Sequence, residues 1–215
     1  MRNIILASNS PRRKELFSLF DWPFEVIPAD LDERRNEEEQ PAMYVRRLAS
    51  EKAHLVAKTY DGLVIAADTI VVDGDELLGK PKDADDARRM LQQLRRRIHQ
   101  VYTGIAILDM ATDKFYSDVC CTNVPMRDYS DAEIETYIAT GDPMDKAGAY
   151  AIQHPGFHPV DELSGCYASV MGLPLCHLSV GLKKFGFEVP VVLPDRCQDL
   201  LDYTCPLFAQ ILDQA

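Results

Sequence analysis

The segment "LVIAADTIVVDGDELLGKP", Leu63 to Pro81, constrains the fold of this chain more than any other. An apolar run breaks at Asp-Gly-Asp and resumes, which is the signature of two antiparallel strands joined by a tight turn. A second hairpin is predicted over "VYTGIAILDMATDKFYSDVCCTNVPM", with its turn near Ala111 to Asp113. Helical segments interleaved with such hairpins rule against a strictly alternating parallel fold. They predict an α/β or α+β fold built on one mixed sheet flanked by helices.

The remaining punctuation fills in that plan. Residues 3 to 7, "NIILA", read as a buried strand, after which Ser10 caps a helix with Pro11 at its first position, running to about Phe20. "FEVIPADLDE" reads as a strand ending in an acidic loop, and Pro41 starts a second helix to about Tyr60. Residues 84 to 97 form a helix rich in Arg and Leu, and Ser130 with Glu133 makes a capping box for a helix to about Thr140. The long stretch "GDPMDKAGAYAIQHPGFHPVDELSG" is irregular and rich in Gly and Pro, so it is expected to carry function or close over something. "CYASVMGLPL" is predicted to be a strand ending at Gly172 and Pro174, before a helix over 175 to 186. "VPVVLP" reads as a linker to an amphipathic helix from about Asp195 to Leu212. Residues 1–188 are expected to form one domain, with 189–215 a helical extension packed on it.

Composition excludes several classes. At 47% hydrophobic and 27% charged residues the chain has the balance of a soluble globular protein. No apolar run approaches the about 20 residues of a membrane span, and "MRNIILASNS" is too short for a signal-peptide core, so a cytoplasmic location is expected. A formal charge of −11 disfavours binding a nucleic acid polymer, which rests on neutralising many phosphates with Lys and Arg. The six cysteines show no C-x-x-C pair and no zinc-like spacing, and reduced thiols are expected.

A few residues break their local pattern. In "LASNSPRRKELF", a strand runs straight into Ser8, Ser10, Arg12 and Arg13 at a helix start, where unpaired N–H groups and partial positive charge welcome an anion such as phosphate. Lys52 sits in the apolar stripe of Val45, Leu48, Leu55 and Val56, either snorkelling to water or pointing into an anion pocket. Asp68 interrupts "LVIAADTIVV", either ending the strand at a solvated turn or facing a cleft where a cation offsets its burial. Lys80 in "GKP" stands beside a proline that fixes the chain, as a positioned cation would. Glu33 belongs to a charged loop that is solvated, unless it approaches Asp68 closely enough for the two carboxylates to share Mg²⁺.

Absences narrow the chemistry. The sequence has no G-x-x-x-x-G-K-[ST], no G-x-G-x-x-G, no G-x-S-x-G and no H-E-x-x-H. What remains is a set of cations, helix-start hydroxyls and two carboxylates. This inventory suits holding a polyphosphate with a metal and directing water at it, which is hydrolase chemistry more than kinase chemistry.

"LASNSPRRKELF", "DERR", "RLASEKA", "AADTIV", "GKPKDADDARRML", "YTGIAI", "DPMDKAGAYAIQ" and "GLPL" occur here in the order found in the Maf family of nucleoside triphosphate pyrophosphatases, which the chain resembles over roughly residues 3 to 186. The resemblance implies an elongated mixed sheet flanked by helices, with a deep central cleft and a fold related to that of the inosine triphosphate pyrophosphatases. It also implies a homodimer and a divalent metal cation, Mg²⁺ or Mn²⁺. The implied reaction cleaves a nucleoside triphosphate between its α and β phosphates. Asp68 matches the proposed general base and Glu33 a carboxylate implicated in metal binding and catalysis. Ser8, Arg12, Arg13, Lys52 and Lys80 match phosphate and substrate contacts. Arg13, Thr69 of "ADT" and Gln153 of "AYAIQ" match the branch acting on dTTP and UTP, which makes a pyrimidine substrate the expectation. Two departures stand out: "HPGFHPVDELSGCY" replaces the usual Gly-rich loop, and the tail from about Val189 lies outside the resemblance.

Two function classes follow. One is a house-cleaning pyrophosphatase that removes unwanted or modified nucleotides. The other is a nucleotide-binding regulator of cell division or septum formation without significant turnover. Asp68 and Glu33 together favour catalysis, because a pure binder gains nothing from carboxylates beside a polyphosphate.

Overall fold

The computed structural model describes residues 2–36 and 38–213. Strand β1 (Ile4–Leu6) lies parallel to β2 (Glu25–Val26) on one side and to β3 (Leu63–Asp73) on the other. β3 turns back into the short β4 (Glu76–Leu78) and pairs antiparallel along most of its length with β5 (Ile98–Asp109). β5 pairs in turn with β6 (Lys114–Pro125), giving the order β2-β1-β3-β5-β6 with β4 beside β3. The sheet is mixed, as the two hairpins require.

Both predicted turns form. Asp73 pairs with Glu76 across the first, and Gly74 supplies its left-handed position at φ +60°. In the second, Asp109 accepts the Ala111 N–H at 3.0 Å and the Thr112 hydroxyl at 2.8 Å, so one carboxylate shapes the turn.

The middle strand is buried on both faces. Val64, Ala66, Ile70 and Val72 pack toward α2 (Pro41–Ala57), while Leu63, Ile65, Ala67 and Val71 join the larger core on the opposite face. That larger core takes in side chains of α1 (Pro11–Ser18), α3 (Ala84–Leu94), α4 (Asp131–Ala139) and α6 (Leu175–Lys184). The capping box of Ser130 and Glu133 is present at the start of α4. α2 approaches the sheet closely because Gly104 on β5 has no side chain: a Cβ there would lie 2.4 Å from the Val45 carbonyl oxygen.

Three expectations are corrected. "CYASVMGLPL" is not a strand: Tyr167–Val170 forms a short helix, α5, whose cap is the Cys166 sulfur accepting the Ser169 N–H at 3.4 Å. A short buried apolar run reads alike as strand or helix, and here the residues are buried on several sides. The single helix predicted to Leu212 is two, α7 (Leu193–Leu201) and α8 (Phe208–Leu212), broken at the left-handed Asp202 and kept apart by Pro206. The α3 helix ends at Leu94 rather than near 97, because Arg96 turns at φ +61° and β5 begins already at Ile98.

The tail packs on the same body. Leu193 is buried in the larger core, and Arg196 reaches the Leu19 carbonyl at 3.0 Å and Asp21 at 2.5 Å. All six cysteines carry free thiols. Among the described residues no helix is long and apolar enough to cross a membrane.

Candidate active site

The ends of β1 and α1, the middle of β3 and the irregular stretch after α4 enclose a cleft of about 450 Å³. All ten residues singled out from the sequence line it.

At the floor, Lys52 Nζ lies 2.5 Å from Asp68 Oδ1 and 2.5 Å from Glu33 Oε1. The register explains this meeting. Asp68 pairs with Gly104 across the β3–β5 ladder, so its side chain points to the α2 face where that helix comes closest. Lys52 stands two helical turns beyond Val45 on the same apolar stripe and reaches Asp68 from above. The alternatives for Lys52 and Asp68 resolve: neither snorkels nor ends a strand, and both face the cleft. Glu33 comes from the acidic loop and keeps 52% of its side chain exposed. Tyr44 OH donates to the Glu33 carbonyl at 2.7 Å and so fixes that loop.

Charge in the floor is balanced unevenly. Burial raises the Asp68 carboxyl above the ordinary aspartate range, against the pull of Lys52 and Arg13, and nearby Glu33 raises it further. Burial, with Asp68 and Glu33 adding to it, pushes the Tyr44 phenol up to about 12, leaving it a donor at neutral pH. Asp68 and Glu33 are the acidic pair able to hold a divalent cation, since both offer oxygen ligands within reach of one ammonium. Among the described residues no group of three His, Cys, Asp or Glu side chains is arranged around a metal position. The donor set therefore fits Mg²⁺ or Mn²⁺ completed by waters and phosphate oxygens, not a closed protein cage.

At the start of α1 the serines serve the backbone first. Ser8 Oγ accepts the Ser10 N–H at 3.2 Å, and Ser10 Oγ accepts the Arg13 N–H at 3.4 Å. Each hydroxyl keeps its own proton to donate into the cleft. The two arginines part company. Arg12 sits at the mouth, 3.3 Å from Asp145. Arg13 runs beneath the floor, donating to the Gly172 carbonyl at 2.8 Å, the Ala67 carbonyl at 2.8 Å and Thr69 Oγ1 at 3.0 Å. It ties α1 to β3 and to the turn after α5. Thr69 is held from behind by Thr103 Oγ1 at 2.9 Å.

Lys80 and Gln153 are exposed on the cleft walls. Lys80 follows Gly79, whose carbonyl receives the Gly148 N–H at 3.1 Å, so the "GKP" turn is tied to the stretch that carries Gln153. Sequence reasoning missed Tyr44, Asp145 and Lys146, which also line the cleft. Lys146, 7% exposed, is held by Asp142 Oδ1 at 2.9 Å, the Asp142 carbonyl at 2.6 Å and Asp145 Oδ1 at 2.6 Å. The signal was available, because "DPMDKAG" places a lysine directly after two acids inside the irregular stretch marked as functional.

Comparison with known proteins agrees with this geometry. Residues 3–185 match the family described as Maf-like protein. The chain is 44% identical over 190 residues to the dTTP/UTP pyrophosphatase of Dictyoglomus turgidum, covering 87% of this chain and 98% of that protein. It is 48% identical over 185 residues to the dTTP/UTP pyrophosphatase of Geotalea uraniireducens, covering 86% and 95%. The structure of the Staphylococcus aureus Ham1 protein superposes with a TM-score of 0.51 at 16% identity, over 86% of this chain and 100% of that one, which shows a shared fold. With the motifs in order along the sequence and their side chains gathered in one cleft, the chain belongs to the Maf family.

Proposed function

We propose that this chain is a nucleoside triphosphate pyrophosphatase that hydrolyses the α-β phosphoanhydride of dTTP and UTP to the monophosphate and pyrophosphate. The observation that carries the proposal is the buried Asp68 carboxylate, paired with Lys52 and Glu33 in the floor of a cleft whose walls carry Arg12, Lys80 and two serine hydroxyls. The dTTP/UTP pyrophosphatase names of relatives at 44% and 48% identity support the substrate class.

In this reading Asp68 takes the proton of the attacking water, and Lys52 and Arg13 favour its ionised form against the burial that raises it. Ser8, Ser10, Arg12 and Lys80 grip the phosphates, neutralising charge as the bridging P–O bond breaks. A Mg²⁺ or Mn²⁺ ion held by Asp68 and Glu33 would supply charge neutralisation at the phosphates. Gln153 offers an amide donor and acceptor to the edge of the pyrimidine, and Arg13 keeps Thr69 and the adjoining wall in place. We further propose a homodimer acting in the cytoplasm on standard and modified pyrimidine nucleotides; family resemblance supports the first, and the cytosolic nucleotide pool the second.

The test is pyrophosphate release from dTTP, UTP, CTP, 7-methyl-GTP and dITP, with Mg²⁺ or Mn²⁺, by wild type and Asp68→Asn. Metal-dependent release from dTTP and UTP that Asp68→Asn abolishes is the expected result. Nucleotide binding without turnover on any member would overturn the proposal in favour of a regulatory binder.

A further inference from the structure

One chain of contacts crosses from the wall that carries Gln153 to Arg12 at the cleft mouth, and the reaction above does not use it. The Ala151 N–H, two residues before Gln153, donates to Tyr137 OH at 2.9 Å, and that hydroxyl donates to Asp142 Oδ2 at 2.7 Å. Asp142 Oδ1 and the Asp142 carbonyl accept from Lys146 Nζ at 2.9 and 2.6 Å, and Asp145 Oδ1 accepts from the same ammonium at 2.6 Å. Asp145 Oδ2 then meets Arg12 Nη1 at 3.3 Å. Both carboxylates sit on one tight helical turn, Asp142–Asp145, immediately before Lys146.

Lys146 lines the cleft, and the simplest use for a lysine there is to grip a phosphate. Its contacts argue otherwise. The ammonium has three N–H donors, three protein oxygens take them, and the residue is 7% exposed, so no donor is left for a ligand. Two carboxylates face two cations in the cluster, which is therefore neutral without help from a ligand. Arg12 differs from Lys146. Among the described residues only its Nη1 meets an acceptor, and at 3.3 Å that contact is long, which leaves the rest of the guanidinium fork to a phosphate. Holding the side chain beforehand reduces the rotamer freedom it loses when the phosphate arrives.

The other end of the chain is also held. The Phe157 ring stacks on Tyr137 with centroids 4.4 Å apart, and the His154 ring meets it edge-on at 4.7 Å. His154 Nδ1 accepts the Gly156 and Phe157 N–H groups at 3.2 and 3.0 Å, which folds the loop so that Phe157 lands on Tyr137. These residues belong to the stretch after Gln153 that departs from the family pattern, and the stacking gives that stretch a task.

We propose that Tyr137, Asp142, Lys146 and Asp145 are positioning residues that fix Arg12 relative to the wall carrying Gln153, so that base contact and phosphate grip act as one unit. The identity of the ligand rests on the pyrophosphatase reading; the coupling does not. Slack anywhere along the chain lets Asp145 turn from Arg12 and is felt by the phosphates rather than by the base. Because Tyr137 OH accepts from Ala151 and donates to Asp142, removing that one oxygen breaks the chain in its middle without changing its charge.

The full chain, as wild type, Tyr137→Phe, Arg12→Ala and the double variant, is titrated by calorimetry in the presence of Mg²⁺. The ligands are tripolyphosphate, which has no base, and the α,β-imido analogue of dTTP, which resists cleavage at that bond. Tyr137→Phe should weaken both ligands by the same factor, about fivefold, and add less than about twofold in the Arg12→Ala background. Pyrophosphate release from dTTP should show the loss in KM with kcat little changed, because a grip at the mouth serves ground state and transition state alike. Asp142→Asn, on a partly exposed turn, breaks the same link and carries the same expectation, which keeps the test decisive if Tyr137→Phe does not fold. A fall for the dTTP analogue alone confines Tyr137 to the base wall and overturns the coupling, as do unchanged affinities or losses that add in full to those of Arg12→Ala. Wild type that binds both ligands without releasing pyrophosphate from dTTP overturns the pyrophosphatase reading and leaves the affinity comparison to decide the coupling.

Discussion

Lys52 and Asp68 form an ion pair, Nζ to Oδ1 at 2.5 Å, in which the two side chains keep only 10% and 9% of their exposure. One comes from the apolar stripe of a helix and the other from the middle of an apolar strand. Removing both charges from water costs several kcal/mol per ion, so such a pair is weak support for stability. Its value lies in holding a carboxylate and an ammonium ready in a cleft. Glu33 on the same ammonium leaves the trio with a net negative charge, which suits an arriving cation.

Removing one partner separates the two roles. Lys52→Ala leaves Asp68 as an uncompensated buried charge and should lower the unfolding free energy by about 3–5 kcal/mol. Asp68→Asn keeps the volume and an acceptor for Lys52, and should leave stability nearly unchanged while reducing turnover at least about 10²-fold. Denaturant titration and pyrophosphate release on the two variants check this. Equal stability in both would mean that the pair does not hold the floor together.

Gly104 sets the height of that floor. A Cβ at this position would meet the backbone of α2 at Val45 and Arg46, between 2.4 and 2.8 Å. Backbone cannot swing aside as a side-chain tip can, so Gly104→Ala should lift α2, cost about 2–3 kcal/mol and pull Lys52 from Asp68. The check is a fall in the denaturant midpoint together with a loss of kcat larger than that of a surface glycine variant such as Gly186→Ala.

These contacts mark what the sequence could and could not reveal. The hairpins, the Ser10 cap and the Ser130 box were legible because each is local: turn chemistry or capping chemistry within a few residues. Lys52 and Asp68 were legible as anomalies, polar residues in apolar patterns, but their meeting depends on a register between β3 and β5 that only the fold supplies. α5 was misread because a short buried run carries no period to distinguish helix from strand. Arg13 was expected to touch substrate. Its three bonds to Gly172, Ala67 and Thr69 come from chain segments far apart in sequence, and no spacing could announce them.

Those three bonds define a prediction for Arg13. The guanidinium fork reaches two carbonyls and a hydroxyl at once, which a lysine ammonium on a single point cannot match. Arg13→Lys should therefore cost about 2–3 kcal/mol of stability, with loss of turnover following from the slackened wall. Arg12→Lys, at the exposed mouth, should leave stability within about 0.5 kcal/mol of wild type and raise KM for nucleotide. A stability loss in Arg12→Lys equal to that in Arg13→Lys would refute the division between clamp and grip.

His99 gives the fold a pH dependence of definite sign. It is 1% exposed, its Nε2 meets Tyr150 OH at 2.8 Å on the far side of the cleft wall, and its Nδ1 has no partner among the described residues. Burial drives its pKa from 6.5 down to about 4, against the weaker pull of Asp73. The unfolded chain therefore binds a proton here that the folded chain refuses. The stabilisation is fully present above pH about 6.5 and is lost as pH falls through about 4, amounting to about 3 kcal/mol at most. Carboxylates titrate over part of the same window, so the readout is the difference from His99→Gln, whose amide keeps a partner for Tyr150 without titrating. Unfolding free energies should diverge in the variant's favour between pH 6.5 and pH 4.5; parallel curves would show that His99 becomes protonated in place without opening the wall.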